Sequence, residues 1–346
     1  MSGLPSRSTW SRRAARLLVG LGALCAGACA ETRDLGTTVP RGKLPVDGRN
    51  PILLMNDGVY DNWQGEYALL LANGGGMTLA GMIVNTGGNV PDINANIMGW
   101  RALADAARDS GMRAVPDPIT SIGPPLTRPA DGQFASTTPN RSEGAQLIRK
   151  TADRLSLPYR PLVVVSGGRL TDLADAYLLD QTIVERVVVV ASLGSLTSGG
   201  AAMGAPNGEM DPWADVIVAS SYRFVQVSAF YDQLTDLPAS QLGALPTNAF
   251  GAWLAAKQPQ VWNLPQAADQ VGVLAVGVPT FAAEVERVAA GPVADGGAAD
   301  GPGLVARQDG PDWLVTKVAS GDATRLFWQL ATDPATYGGQ RTDGGP

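Results

Sequence analysis

Short apolar runs alternating with longer amphipathic stretches set the pattern of this chain. Runs at 52–55, 79–84, 162–165, 187–191 and 224–227 are rich in Val, Ile, Leu and Met. Runs of that length predict strands buried on both faces. Between them, stretches around 67–72, 93–107, 145–155, 173–179 and 212–220 read as helices. Strands and helices in alternation predict a doubly wound α/β fold, with a mostly parallel sheet and helices on both faces. Residues 116–140, rich in Pro, Thr and Gly, predict a long surface loop, and 290–303 a surface insertion. No internal repeat is visible. The expected organisation is a leader at 1–28, a polar linker at 29–48, one α/β domain at 49–337 and a disordered tail at 338–346.

The leader changes the picture of where the chain works. Arg12 and Arg13 precede an apolar stretch at 17–28 that ends in small residues, the layout of an export signal. It is too short to span a membrane comfortably. Ser11-Arg12-Arg13 also hints at a twin-arginine route. Ala26-Gly27-Ala28-Cys29 resembles a bacterial lipobox, with Ala26 where leucine is usual, so Cys29 is the candidate lipidation site. The alternative is ordinary cleavage after Ala28 or Ala30. The expected location is the bacterial periplasm or cell envelope, with a lipid anchor through Cys29.

Composition narrows the chemistry. The 346 residues carry 26 basic and 32 acidic side chains, for a net charge of −6. The leader's arginines have no acidic neighbours, so the body is more acidic still and would repel a nucleic-acid backbone. With no histidine, a Ser-His-Asp triad, a Cys-His dyad and histidine-ligated zinc are excluded. Both cysteines, Cys25 and Cys29, lie in or at the end of the leader, so the body has no thiol nucleophile and no disulfide. Lys43, Lys150, Lys257 and Lys317 stand outside every strand-end motif, which disfavours a Ser-Lys hydrolase.

In such sheets ligands bind beyond the carboxyl ends of the strands. The predicted strand ends deliver Asn56 to Asn62, then Asn85 to Asn89, then Ser166 to Asp172, then a Ser/Gly-rich stretch leading to Asn207 and Asp211-Pro212. Carboxylates, amides and glycines gather there, and oxygen-only donors select a hard cation such as calcium.

At these residues the chain resembles the inosine/uridine-preferring nucleoside hydrolases. On that family's D-x-D-x-x-x-D-D opening, Asp57, Asp61 and Asn62 fall on the second, third and fourth acids, and Asn89 falls on the asparagine of its T-x-G-N-like turn. Residues 166–172 match its L-G-P-L-T-N segment and place Thr171 on the threonine whose carbonyl binds calcium. Asn207 to Pro212 match its N-x-x-x-D-P, and Asp269 falls in a looser counterpart of H-D-P-L-A. The likeness runs from about 51 to about 334. It departs at Met55 and Asn62, which replace acids, at Ala268 for a histidine and at Ala205 for a glutamate.

The resemblance implies calcium-dependent hydrolysis of the N-glycosidic bond of a ribonucleoside or related N-riboside, giving ribose and base. Asp57 would be calcium ligand and general base for water, with Asn62, the Thr171 carbonyl and Asp269 completing the metal site. Asp61, Asn89 and Asn207 would bind the sugar. The partner would be a small-molecule nucleoside, with a homo-oligomer left open. The alternative is a weakened sugar- or nucleoside-binding protein on the same fold. Each residue also has a plainer role: Asp57 shaping a turn, Asp61 and Gln64 forming a helix capping box, Asn62 and Thr171 capping, Glu66 solvated near a helix start, and Asp269 a surface acid.

Overall fold

The computed structural model describes residues 41–60, 62–87, 91–192, 197–198, 206–227, 239–261, 269–292, 302–306 and 310–339. The chain divides after Val39; the first unit lies outside the described residues, and the second holds everything below.

In chain order the elements are β1 (Pro51–Asn56), α1 (Gln64–Asn73), β2 (Thr78–Val84), α2 (Ile93–Asp109), β3 (Pro118–Thr120), α3 (Glu143–Leu155), β4 (Leu162–Ser166), α4 (Thr171–Leu179), β5 (Val187–Ser192), β6 (Thr197–Ser198), α5 (Pro206–Glu209), α6 (Pro212–Ser221) and β7 (Arg223–Val227). Then come α7 (Ala249–Val261), α8 (Gln270–Gly277), β8 (Ala282–Pro292), β9 (Pro302–Ala306), β10 (Asp312–Val318) and α9 (Ser320–Thr332). The strands form one sheet in the order β3-β2-β1-β4-β5-β7-β10-β8-β9-β6. Pairing is parallel from β3 through β7 to β10, and antiparallel on both sides of β8. This is the predicted mostly parallel α/β sheet.

Alternation along each strand divides the core between the two faces. Ile52, Leu54, Val163, Val165, Val188 and Val190 pack with α1, α2, α7, α8 and α9 on one face. Leu53, Met55, Leu162, Val164, Val187 and Val189 pack with α3, α4 and α6 on the other. Burial on both sides explains why these strands read as continuous apolar runs.

Three expectations change. The stretch 116–140 contains β3, which pairs parallel with β2 at the sheet edge, and a 3-10 turn at Phe134–Ser136. The ends of the 290–303 insertion belong to the paired strands β8 and β9, with 293–301 outside the described residues. Leu44 and Val46, within the expected linker, are buried in the core. Among the described residues no helix is long and apolar enough to cross a membrane.

The strand order turns back at β1, which has β2 on one side and β4 on the other. Such a switch point opens a crevice at the carboxyl ends of the two central strands. Asn56 ends β1 and Ser166 ends β4, so the motif residues following them line that crevice.

Candidate functional site

The parity of β1 decides what reaches the crevice. Met55 sits in the core with Leu53, fully buried, so the position where a first acid was expected serves packing. Asn56, one residue on, turns to the opposite face, where α8 begins at Gln270. Its Nδ2 donates to Oδ2 of Asp269 at 3.1 Å and to Oε1 of Gln64 at 2.5 Å, while its Oδ1 accepts from the Asp57 N–H at 2.6 Å. Asn56 therefore ties the Asp57 backbone to Asp269, which lies 213 positions beyond Asn56.

Asn62 joins them. Its Oδ1 accepts from the N–H of Gln64 at 2.9 Å, at the start of α1, and its Nδ2 donates to the Gly58 carbonyl at 3.1 Å and to Asp269 Oδ2 at 3.2 Å. Gln64 Nε2 at 3.2 Å and Ser192 Oγ at 3.0 Å both donate to the Asp269 carbonyl. Hydrogen bonds through Asn56 and Asn62 link Asp57, Asn62 and Asp269, and all three are buried. The Asp57 carboxylate accepts from the Gly58 N–H at 2.6 Å, and Trp100 Nε1 donates to the Asp57 carbonyl at 3.2 Å. A Cβ at Gly87 would lie 1.5 Å from Asp57 Oδ2, so only glycine leaves room for this carboxylate.

Thr171 stands elsewhere. It is the first residue of α4, where a helical carbonyl points along the axis away from the helix start. Its hydroxyl donates to Asp211 Oδ2 at 2.6 Å. The strand-end backbone beside Asp269 is that of Gly167: a Cβ there would lie 2.6 Å from Asn56 Nδ2 and 2.7 Å from the Asp269 carboxyl carbon. The helix starts at Thr171 itself, and its side chain is held by Asp211.

Asn207 reaches the site as a clamp. Its Nδ2 donates at 3.1 Å to the carbonyls of both Gly167 and Ser192, the ends of β4 and β5. Asp61, Asn89, Ala205, Ala268, Tyr231 and Cys29 lie outside the described residues.

The expected capping box at α1 rests on Asp61, outside the described residues. The Asn62 oxygen accepts from the Gln64 N–H, and the Gln64 side chain bonds Asn56 and the Asp269 carbonyl. Glu66 is buried rather than solvated. Its Oε1 accepts from Lys257 Nζ and from Trp253 Nε1, both at 2.7 Å, and the Lys257 ammonium lies 4.8 Å from the Trp63 ring centroid. Lys257 therefore pairs with a residue of the first turn of α1, although no strand-end motif contains it. Trp63 and Trp213 are packing residues, whereas Tyr60 is 45% exposed, its ring 5.6 Å from that of Trp253.

A second group of acids lies behind β4. Burial pushes the Asp172 carboxyl above its ordinary value, against hydrogen bonds from Ser121 and Ser142 and the attraction of Arg169. Asp211 is likewise raised by burial, although Thr171, Leu126 and Ala214 donate to it. Asp215 is raised well above the usual carboxylate range by burial and then by repulsion from Asp211. Sequence reasoning missed Asn56, Gln64 and Ser192. The signal for Asn56 was present: an amide directly before Asp57 at a strand end.

Calcium needs six to eight oxygens turned toward one point. Here the Asn62 oxygen is committed to α1, and two amide N–H groups are directed at Asp269 Oδ2. The donors as arranged do not fit that ion, and among the described residues no three acids gather as a metal site.

No family model matches the chain, and no curated protein does. Solved structures do. An inosine-guanosine nucleoside hydrolase superposes with a TM-score of 0.60 at 14% identity, covering 81% of this chain and 98% of its own. A plant nucleoside hydrolase gives 0.59 at 15%, covering 82% and 99%. The fold is that of the nucleoside hydrolases. A purine-preferring ribonucleoside hydrolase from Gardnerella vaginalis gives 0.58 at 16%, covering 82% and 99%. On this fold, the chain has Asp57 and Asp269 near the end of β1 and surrounds the second with amides.

Proposed function

We propose that the chain binds the ribosyl group of a nucleoside or related N-riboside at the crevice between β1 and β4. The observation that carries this reading is that Asn56, at the end of β1, bonds both the Asp57 backbone N–H and the Asp269 carboxylate. Buried carboxylates, amides and a hydroxyl on neighbouring strand ends match the hydrogen-bonding demand of a sugar diol. The chain acts first as a binding protein.

Hydrolysis of the N-glycosidic bond is the second reading, and the position of Asp57 favours it. Its carboxylate, at a strand end beside Gly87, would take a proton from an attacking water while positive charge develops at the anomeric carbon. One experiment separates the two. The chain is titrated calorimetrically with a panel of nucleosides, and release of reducing sugar is followed with calcium and with chelator. Saturable binding without sugar release supports the first reading, sugar release the second, and no binding across the panel removes both. The leader supports export to the bacterial envelope, with Cys29 as the lipidated residue.

A further inference from the structure

We infer that the side-chain amides of Asn56 and Asn62 hold the Asp269 carboxylate in place of a cation, so that the crevice is organised without metal. Only the ligand's identity rests on the riboside reading; the metal independence stands on the amides alone.

The orientation of both amides is fixed by what surrounds them. Asn62 Oδ1 faces the Gln64 N–H, which forces its Nδ2 toward the Gly58 carbonyl and Asp269 Oδ2. Asn56 Oδ1 faces the Asp57 N–H, which forces its Nδ2 toward Gln64 Oε1 and Asp269 Oδ2. Gln64, with its oxygen taken by Asn56, turns its Nε2 to the Asp269 carbonyl. The side-chain oxygens of Asn56, Asn62 and Gln64, and Oδ2 of Asp269, each meet an N–H donor. Turning either asparagine would set oxygen against oxygen in two places, and both residues are almost fully buried. An asparagine can ligate calcium through its oxygen, but here that oxygen is inside the helix cap and the nitrogen faces the carboxylate.

The substitution has a chemical logic. A buried carboxylate needs either a counter-charge or donors that satisfy its lone pairs. Two N–H groups on one oxygen supply the donors and leave the neighbourhood one negative charge lighter than an aspartate at position 62 would. Asn56 and Asn62 are therefore positioning residues: they orient Asp269 and, through the Asn56–Asp57 bond, the start of the crevice.

The test uses the full chain, stripped with chelator, and an Asn62→Asp variant. Calcium chloride is titrated calorimetrically, and melting is followed with and without the ion. The wild type is expected to show no saturable calcium heat to well above the ~1 mM at which weak calcium modules bind, and no shift in Tm. Asn62→Asp sets a second carboxylate beside Asp269; it is expected to melt lower in chelator and to recover with calcium. Saturable calcium binding by the wild type below ~1 mM overturns the inference. So does a variant that melts alike in chelator and calcium. If the variant fails to fold, the wild-type titration still decides. Nucleoside titration separates the two readings. Equal affinity with calcium and chelator supports both, whereas binding only with calcium overturns the amide inference and leaves the riboside reading intact. No nucleoside binding by a wild type that also ignores calcium removes the riboside reading alone.

Discussion

Lys257 Nζ and Glu66 Oε1 meet at 2.7 Å with side-chain exposures of 1% and 0%. An ion pair this deep is not a strong net contributor to stability, because both charges lose water. Removing one partner is a different matter. Lys257→Met leaves Glu66 charged in the core and is expected to cost about 3–5 kcal/mol, read from urea unfolding. The double change Lys257→Met with Glu66→Leu should recover much of that loss. Equal stability of the single variant and the wild type would show that the pair is not buried in solution.

Asp215 gives the pH dependence a sign. Its Oδ1 has no hydrogen-bond partner among the described residues, and burial followed by Asp211 raises its carboxyl well above the usual range. A folded value above the unfolded one means that the native state holds the proton longer. Stability is therefore lost as pH rises from the unfolded value of about 3.9 through the raised folded value. Asp215→Asn should melt higher than the wild type near neutrality and equal to it below about pH 4. A gain that persists in acid would place the effect elsewhere.

Thr171→Val removes the hydroxyl that donates to Asp211 at 2.6 Å while keeping the shape. The expected loss is about 1–3 kcal/mol, since a buried acceptor is left short of a donor. Nucleoside affinity should change little, because Thr171 heads a helix behind the crevice. A large loss of affinity without a loss of stability would restore Thr171 to the ligand-binding set.

Gly87→Ala addresses Asp57 without touching it. The added carbon would fall 1.5 Å from Oδ2 and must displace the carboxylate. Overpacking of this kind costs about 1–3 kcal/mol of stability. Nucleoside affinity should drop by about tenfold or more, equivalent to about 1.4 kcal/mol. Unchanged affinity in a folded variant would remove Asp57 from the site.

The leader makes its own prediction. Intact-mass measurement on protein from the native host should find residues 1–28 missing and Cys29 carrying diacylglycerol. A mass starting at Met1 would defeat export.

The parallel half of the sheet was legible because its strands are buried on both faces and therefore read as unbroken apolar runs, as at 162–165 and 187–191. The far edge was not. In β8, Ala282–Pro292, Val285 and Val288 stand singly among Glu284, Glu286 and Arg287 along an antiparallel strand, and no apolar run announces it. Asp57, Asn62 and Asp269 were picked out by the family resemblance, and hydrogen bonds link them in one network. Which atom each side chain presents was not legible, because the Asn62 orientation depends on Gln64 and Asp269, the latter 207 positions away. Glu66 was misread as solvated for a similar reason: its partner Lys257 lies 191 residues on.

The alternation at the end of β1 has an evolutionary consequence. Met55 packs into one core, while Asn56 turns the other way to Asp269, so a single strand carries packing and recognition in opposite phase. A one-residue insertion or deletion between 51 and 55 would exchange the two, driving an amide into the apolar layer and a thioether into the crevice. Substitutions in β1 can be screened one function at a time, but changes in its length cannot. Homologous chains should therefore vary freely in the lengths of their surface connections and hold the spacing from Pro51 to Asp57 constant.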